Sequence, residues 1–185
     1  MQIRFIFSIL ALMGIFLGLS FIVPTLTDAY FHNFNSMILF GYTGLIVFFT
    51  SSFFYTLLKT KNPAPLKVKE MFLTTTLVWL FYSLIGSLPF MAEISDISFV
   101  DAWFESVSGL TTTGSTVLTH LDTLPKGLLM WRSMLQWIGG IGIIIVVLNV
   151  LPVLRVGGMQ FFTTEFSGEK IRQTPTITQT VRHIM

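Results

Sequence analysis

Cysteine is absent, so neither a disulfide framework nor a thiolate metal site is available to this chain. Charge is scarce too. Asp, Glu, Lys and Arg make up 11% of the 185 residues, against about 25% in ordinary soluble domains. That shortage argues against a water-facing surface. The net charge of +2 gives no broad attraction to nucleic acid, so none is expected as a partner. His32, His120 and His183 lack metal-ligand spacing, and no Ser/His/Asp or paired-carboxylate set falls at a common depth. Gly157-Gly158 is not followed by the Lys-Ser/Thr of a phosphate loop. These absences leave no enzymatic constellation and no organic cofactor to expect.

What the sequence holds is apolar: 52% of it is hydrophobic, with 19 Phe. Four runs without Asp, Glu, Lys or Arg lie between Arg4 and Asp28, His32 and Lys59, Glu70 and Glu93, and Arg132 and Arg155. Each is at least 22 residues long. At about 1.5 Å per residue, such a helix crosses a hydrocarbon core of about 30 Å. The first run is too long for a signal peptide and meets no small-x-small cleavage site before Pro24, so it is expected to be a retained span.

Lys59, Lys61, Lys67 and Lys69 surround Asn62-Pro63-Ala64-Pro65 between the second and third runs. The positive-inside rule assigns this loop, and with it the N-terminus at Arg4, to the cytoplasm. Thr25 to Ser36 has no Lys or Arg and faces out, as does the acidic segment with Glu93, Asp96, Asp101 and Glu105. Arg155, Lys170, Arg172 and Arg182 follow the fourth run and belong inside. The segment between runs three and four therefore enters and leaves on one side. Either it is an external loop, or it dips into the membrane and returns.

Ser98-Phe-Val-Asp101 fits a loose capping box, and Phe99 to Leu110 reads as an apolar helix of about twelve residues ending near Gly109 to Thr111. At roughly 18 Å it is too short to cross. Thr111-Thr112-Thr113-Gly114-Ser115-Thr116 follows, uncharged and centred on a glycine. On the re-entrant reading, this backbone lines a wet cavity and its carbonyls replace the hydration shell of a cation. On the other reading it is a polar turn outside the bilayer.

At these residues the chain resembles the Trk/Ktr/HKT superfamily of potassium transporters, most closely the Trk-type membrane subunit. The resemblance is carried by Phe104 to Leu118 (FESVSGLTTTGSTVL), Leu124 to Leu154, Val156 to Phe162 (VGGMQFF) and Leu84 to Phe90 (LIGSLPF). It implies an all-α membrane protein with four transmembrane helices plus one re-entrant half-helix and filter loop, a potassium-channel-like helix–pore loop–helix repeat. The implied organisation is an N-terminal transmembrane hairpin over 1–60, a cytoplasmic loop over 61–70, and a repeat over 71–155 with its re-entrant segment at 98–118. A cytoplasmic connector over 156–185 would lead toward a second repeat.

The resemblance further implies potassium uptake across a bacterial inner membrane through a carbonyl-lined selectivity filter. Potassium is then cargo, held by the carbonyls of Thr112, Thr113, Gly114 and Ser115. Thr111, Thr116, Gly139, Gly140 and Asn149 are candidates for support or gating. Implied partners are membrane lipid, the remaining repeats of the same transporter, a cytosolic nucleotide-binding regulatory subunit, and a second copy in a homodimer of the full-length protein. The family has four repeats and this chain has one, so a fragment of a longer transporter is expected. The competing expectation is a truncated, non-conducting assembly module beside a full-length transporter.

Other residues carry two readings each. Gly139, Gly140 and Gly142 serve helix packing or bending near the filter. Asn149 faces a helix partner or a cavity. Asp101, Glu105 and Asp122 form either a cation-concentrating mouth or a solvated rim with no specific role. Lys126 and Arg132 are expected to snorkel, and Trp131 and Trp137 to sit at the membrane interface.

Overall fold

A computed structural model describes residues 2–60 and 66–154, with side chains as far as Val147. The expected connector over 156–185, Arg155 and part of the 61–70 loop lie outside the described residues. Two compact units are distinguished, Met1–Ile144 and Ile145–Met185. The second is described only over the last turns of its helix, and all packing discussed below belongs to the first.

The elements in order are α1 (Ile3–Ser20), α2 (Ile22–Tyr30), α3 (Phe34–Leu58), α4 (Val68–Glu93), α5 (Phe99–Leu110), a 3-10 turn (Leu121–Thr123) and α6 (Lys126–Leu154). Among the described residues there is no strand. Four segments are long and apolar enough to cross a membrane: Ile3–Tyr30, Phe34–Leu58, Val68–Glu93 and Lys126–Val147. They correspond to the four runs. α5, with 12 residues, is the short helix expected between the third and the fourth. The chain is an all-helical, multi-pass membrane protein. Its aromatic surplus lies outward, with Phe34, Tyr42, Phe49, Phe53 and Phe54 of α3 exposed. That suits a surface wetted by lipid rather than water.

Two boundaries differ from expectation for local reasons. The first span breaks at Phe21, between α1 and α2, because Pro24 has no N–H to continue the ladder. α4 begins at Val68, earlier than the 71 expected from the charge pattern. Glu70 allows this by folding back on its own helix start, where its carboxylate accepts from Lys67 N–H at 3.0 Å. It also accepts from the Gln2 N–H at 2.8 Å, which ties the N-terminus to the same point.

The core is shared by α1–α3 and α4–α6. Leu17, Phe21, Phe40, Tyr82, Phe90, Ala102, Leu110, Leu128, Trp131 and Leu135 form one buried cluster. α1 lies close against α3 at Gly18, where an added Cβ would come within 2.7 Å of the Phe48 nitrogen. Small residues at such crossings let helices gain dispersion contact where lipid offers no hydrophobic drive.

Trp131 was expected at the membrane interface, but it is fully buried. It stacks on Phe21 with centroids 4.2 Å apart. Its indole N–H donates to the Gly86 carbonyl at 2.9 Å. A buried tryptophan needs such an acceptor. Tyr82 binds the Met13 carbonyl at 2.9 Å and Trp103 binds Ser83 Oγ at 3.0 Å. These bonds join α4 to α1 and to α5.

Candidate functional site

The short helix α5 begins as its sequence predicts. Ser98 Oγ accepts the Asp101 N–H at 3.1 Å. Asp101 does not complete the box from its side; its carboxylate takes the Ser98 hydroxyl at 2.7 Å. The packed face of α5 carries Ala102, Glu105, Ser106, Ser108, Gly109 and Leu110. Small residues predominate there because α4 and α6 approach closely. A Cβ on Gly139 of α6 would fall on the Leu110 carbonyl.

The C-terminal end of α5 closes in a Schellman turn. Thr113 N–H reaches back to the Ser108 carbonyl at 3.0 Å, and Thr112 N–H to the Gly109 carbonyl at 2.9 Å. The motif needs a left-handed residue between helix and exit, usually glycine. Here Thr112 fills it, with φ of +60°. A β-branched residue in this region costs on the order of 1–2 kcal/mol, and persists only where the surroundings fix it. Gly114 follows with φ of +76°, a conformation that suits glycine.

Thr111 Oγ1 donates to the Val107 carbonyl at 2.9 Å and lies 2.8 Å from Thr113 Oγ1. Side chains and main-chain N–H groups are thus turned back onto the helix. The carbonyl oxygens of Thr111, Thr112, Thr113 and Gly114 accept no hydrogen bond among the described residues. These four residues are exposed. They stand at the negative end of the α5 dipole, where a cation is favoured. Ser115 is different: its carbonyl accepts the Ser108 hydroxyl at 2.6 Å and is turned toward α5.

The outgoing limb is held by a residue read from sequence as part of an acidic mouth or rim. Glu105 is neither. Its side chain is fully buried, and Arg132, expected to snorkel, lies beside it with Nε 3.1 Å from Oε2. Oε1 accepts Thr116 Oγ1 at 2.5 Å, Val117 N–H at 2.6 Å and Leu118 N–H at 3.3 Å. Four donors on one carboxylate offset the cost of burying it. One sequence signal pointed to it: Glu105 occupies the helical stripe of Ala102, Ser106 and Gly109, which is the packed face.

Of the other sequence candidates, Gly139 lies against Leu110, whereas Gly140 has Thr112 Cγ2 as its nearest neighbour at 4.0 Å from a built Cβ. Gln136 Nε2 stands 3.4 Å from the position a Cβ on Gly114 would take. Trp137 is exposed, as an interface aromatic would be. Thr116 joins the limb to Glu105. The Asn149 side chain lies outside the described residues.

A second buried acid was missed from sequence. Asp28, at the end of α2, is fully buried and accepts the Gly127 N–H at 2.7 Å. It covers the N-terminus of α6 from a hairpin almost a hundred residues earlier, a pairing no local pattern reveals. Glu93 accepts the Ser36 hydroxyl at 2.8 Å and links α4 to α3 in the same manner.

Comparison with known proteins gives concordant findings. The family described as TrkH, cation transport protein, matches residues 36–185. The Trk system potassium uptake protein TrkH of Vibrio parahaemolyticus is 37% identical over 193 residues, covering 98% of this chain and 38% of that protein. TrkH of Escherichia coli is 41% identical over 145 residues, 72% of this chain and 30% of its own length. TrkI of Halomonas elongata is 50% identical over 105 residues, 57% of this chain and 21% of that protein. The chain thus spans well under half the length of these relatives. The crystal structure of the potassium transporter TrkH from Vibrio parahaemolyticus superposes with a TM-score of 0.77 at 33% identity. That superposition covers 96% of this chain and 38% of the solved one.

Proposed function

Because this chain belongs to the TrkH family of cation transport proteins, we propose that it supplies one strand of a potassium-selective path across the bacterial inner membrane. The family is one of transporters, not enzymes. On this reading α5 is a half-helix entering from the outer side, with its C-terminus near the bilayer midplane. Thr112, Thr113 and Gly114 offer carbonyl oxygens to a dehydrated potassium ion. Ser115, whose oxygen is engaged by Ser108, contributes least. Thr111, Thr116, Gly139, Gly140 and Asn149 support the strand or the gate.

One observation carries the reading. The turn after α5 spends a strained Thr112 and a left-handed Gly114 to send its N–H groups inward, leaving a row of carbonyls unengaged by the described residues. An ordinary surface turn has no need of that strain. Oxygen-only ligation suits an alkali ion.

One strand provides about a quarter of a coordination cage, so the remaining strands come from further repeats of the same transporter. A homodimer, a cytosolic nucleotide-binding subunit and a cytoplasmic N-terminus complete the proposal, the last supported by Lys59, Lys67 and Lys69. The test is Gly114→Ser in the full-length transporter, measured as potassium and sodium uptake by a transport-deficient strain. A serine here is strained by φ of +76°. Reduced preference for potassium is expected; unchanged uptake and preference would remove Gly114 from the ion path.

A further inference from the structure

The buried Glu105 carboxylate accepts four hydrogen bonds. A carboxylate costs several kcal/mol to bury, and few helices retain one on their packed face without a use for its charge. Three of its four bonds go to Thr116, Val117 and Leu118, the residues directly after the proposed strand. The fourth goes to Arg132 of α6. The inner end of the strand is held separately by the Schellman turn, while Ser108 on the Ser115 carbonyl adds one neutral bond at the outer end. Thr112 to Gly114 therefore hangs between two fixed points, each anchored to α5.

We infer that Glu105 is a specificity-determining positioning residue: paired with Arg132, it holds the outer end of the strand and thereby sets the discrimination between potassium and sodium. This rests on the reading of Thr112–Gly114 as ion path. A smaller ion is coordinated well only if the carbonyls draw inward. A strand whose outer end is held by the neutral Ser108 bond alone follows it more easily than one held by the Glu105 carboxylate as well. Charge is essential to the tether. A neutral amide at 105 has one acceptor oxygen, so it cannot serve both the limb and Arg132. Its NH2 group would then face a donor, and the guanidinium would lose its counter-charge.

The experiment uses the full-length transporter in proteoliposomes, with potassium and sodium uptake normalised to the protein recovered. Glu105→Gln is expected to lower the potassium-over-sodium ratio about tenfold or more, the loss of one charged buried partner expressed as a ratio. Arg132→Lys keeps the charge and is expected to retain most of the ratio. Glu105→Asp keeps the charge but retracts it by one methylene, and is expected to fall between. It carries the test if too little Glu105→Gln protein is recovered.

If Glu105→Gln and Glu105→Asp reduce both uptakes equally, or only the amount of protein, Glu105 is merely structural and the inference falls. Gly114→Ser, run in parallel, separates the two levels. A changed ratio there with an unchanged ratio at Glu105 overturns the inference alone. No change at either position overturns the ion-path reading itself.

Discussion

Gly139 and Gly140 are adjacent on α6, yet the structure demands opposite outcomes when each becomes alanine. At Gly139 the new Cβ would lie 2.6 Å from the Leu110 carbonyl carbon and 3.1 Å from its Cα, with the carbonyl oxygen closer still. Ordinary contact between carbon atoms is about 3.5–4.0 Å. The obstacle is backbone at the end of a helix, so no rotamer change relieves it. α5 and α6 must separate by roughly 1 Å, at about 1–3 kcal/mol.

At Gly140 the nearest atom is Thr112 Cγ2, a side-chain methyl at 4.0 Å. Alanine fits there, and improved helix propensity favours it by about 0.5–1 kcal/mol. The two variants should therefore differ by about 2–4 kcal/mol in stability, Gly139→Ala being the weaker. The displaced atoms belong to Leu110, next to Thr111–Gly114, so ion uptake should fall further with Gly139→Ala than with Gly140→Ala. Thermal unfolding of the full-length protein in detergent, followed by size-exclusion chromatography, measures the first effect; tracer uptake in cells measures the second. Equal melting and equal uptake for the two variants would refute the close approach of α5 and α6.

Two buried side chains, Asp28 of α2 and Trp131 of α6, give further predictions. Asp28→Ala removes the acceptor of the Gly127 N–H inside the core and should cost about 1–3 kcal/mol, whereas Asp28→Asn keeps an acceptor and should cost less; chemical denaturation of the two variants ranks them. Trp131→Phe keeps an aromatic ring against Phe21 but removes the indole donor to the Gly86 carbonyl and opens a cavity, so a loss of about 1–3 kcal/mol is expected in the same assay, and a loss near zero would show that neither the bond nor the indole's volume stabilises the core.

The sequence by itself determined the four spans and the short fifth helix. Those follow from one-dimensional quantities: the length of an uncharged run, the start of a helix at Ser98, the need for φ above zero at Gly114. It did not identify Thr112 as the second left-handed residue, because threonine is a poor candidate for that conformation and only the closing of the Schellman turn imposes it. It misread Trp131 as an interface aromatic, since burial depends on Phe21 arriving from a helix more than a hundred residues away. The pairings of Glu105 with Arg132 and of Asp28 with Gly127 were likewise decided by tertiary structure. A charged residue in a sparse sequence looks solvated until its partners, drawn from distant parts of the chain, are brought within hydrogen-bond reach. Hydropathy records what a residue costs in lipid; only the fold records which donors arrive to offset it.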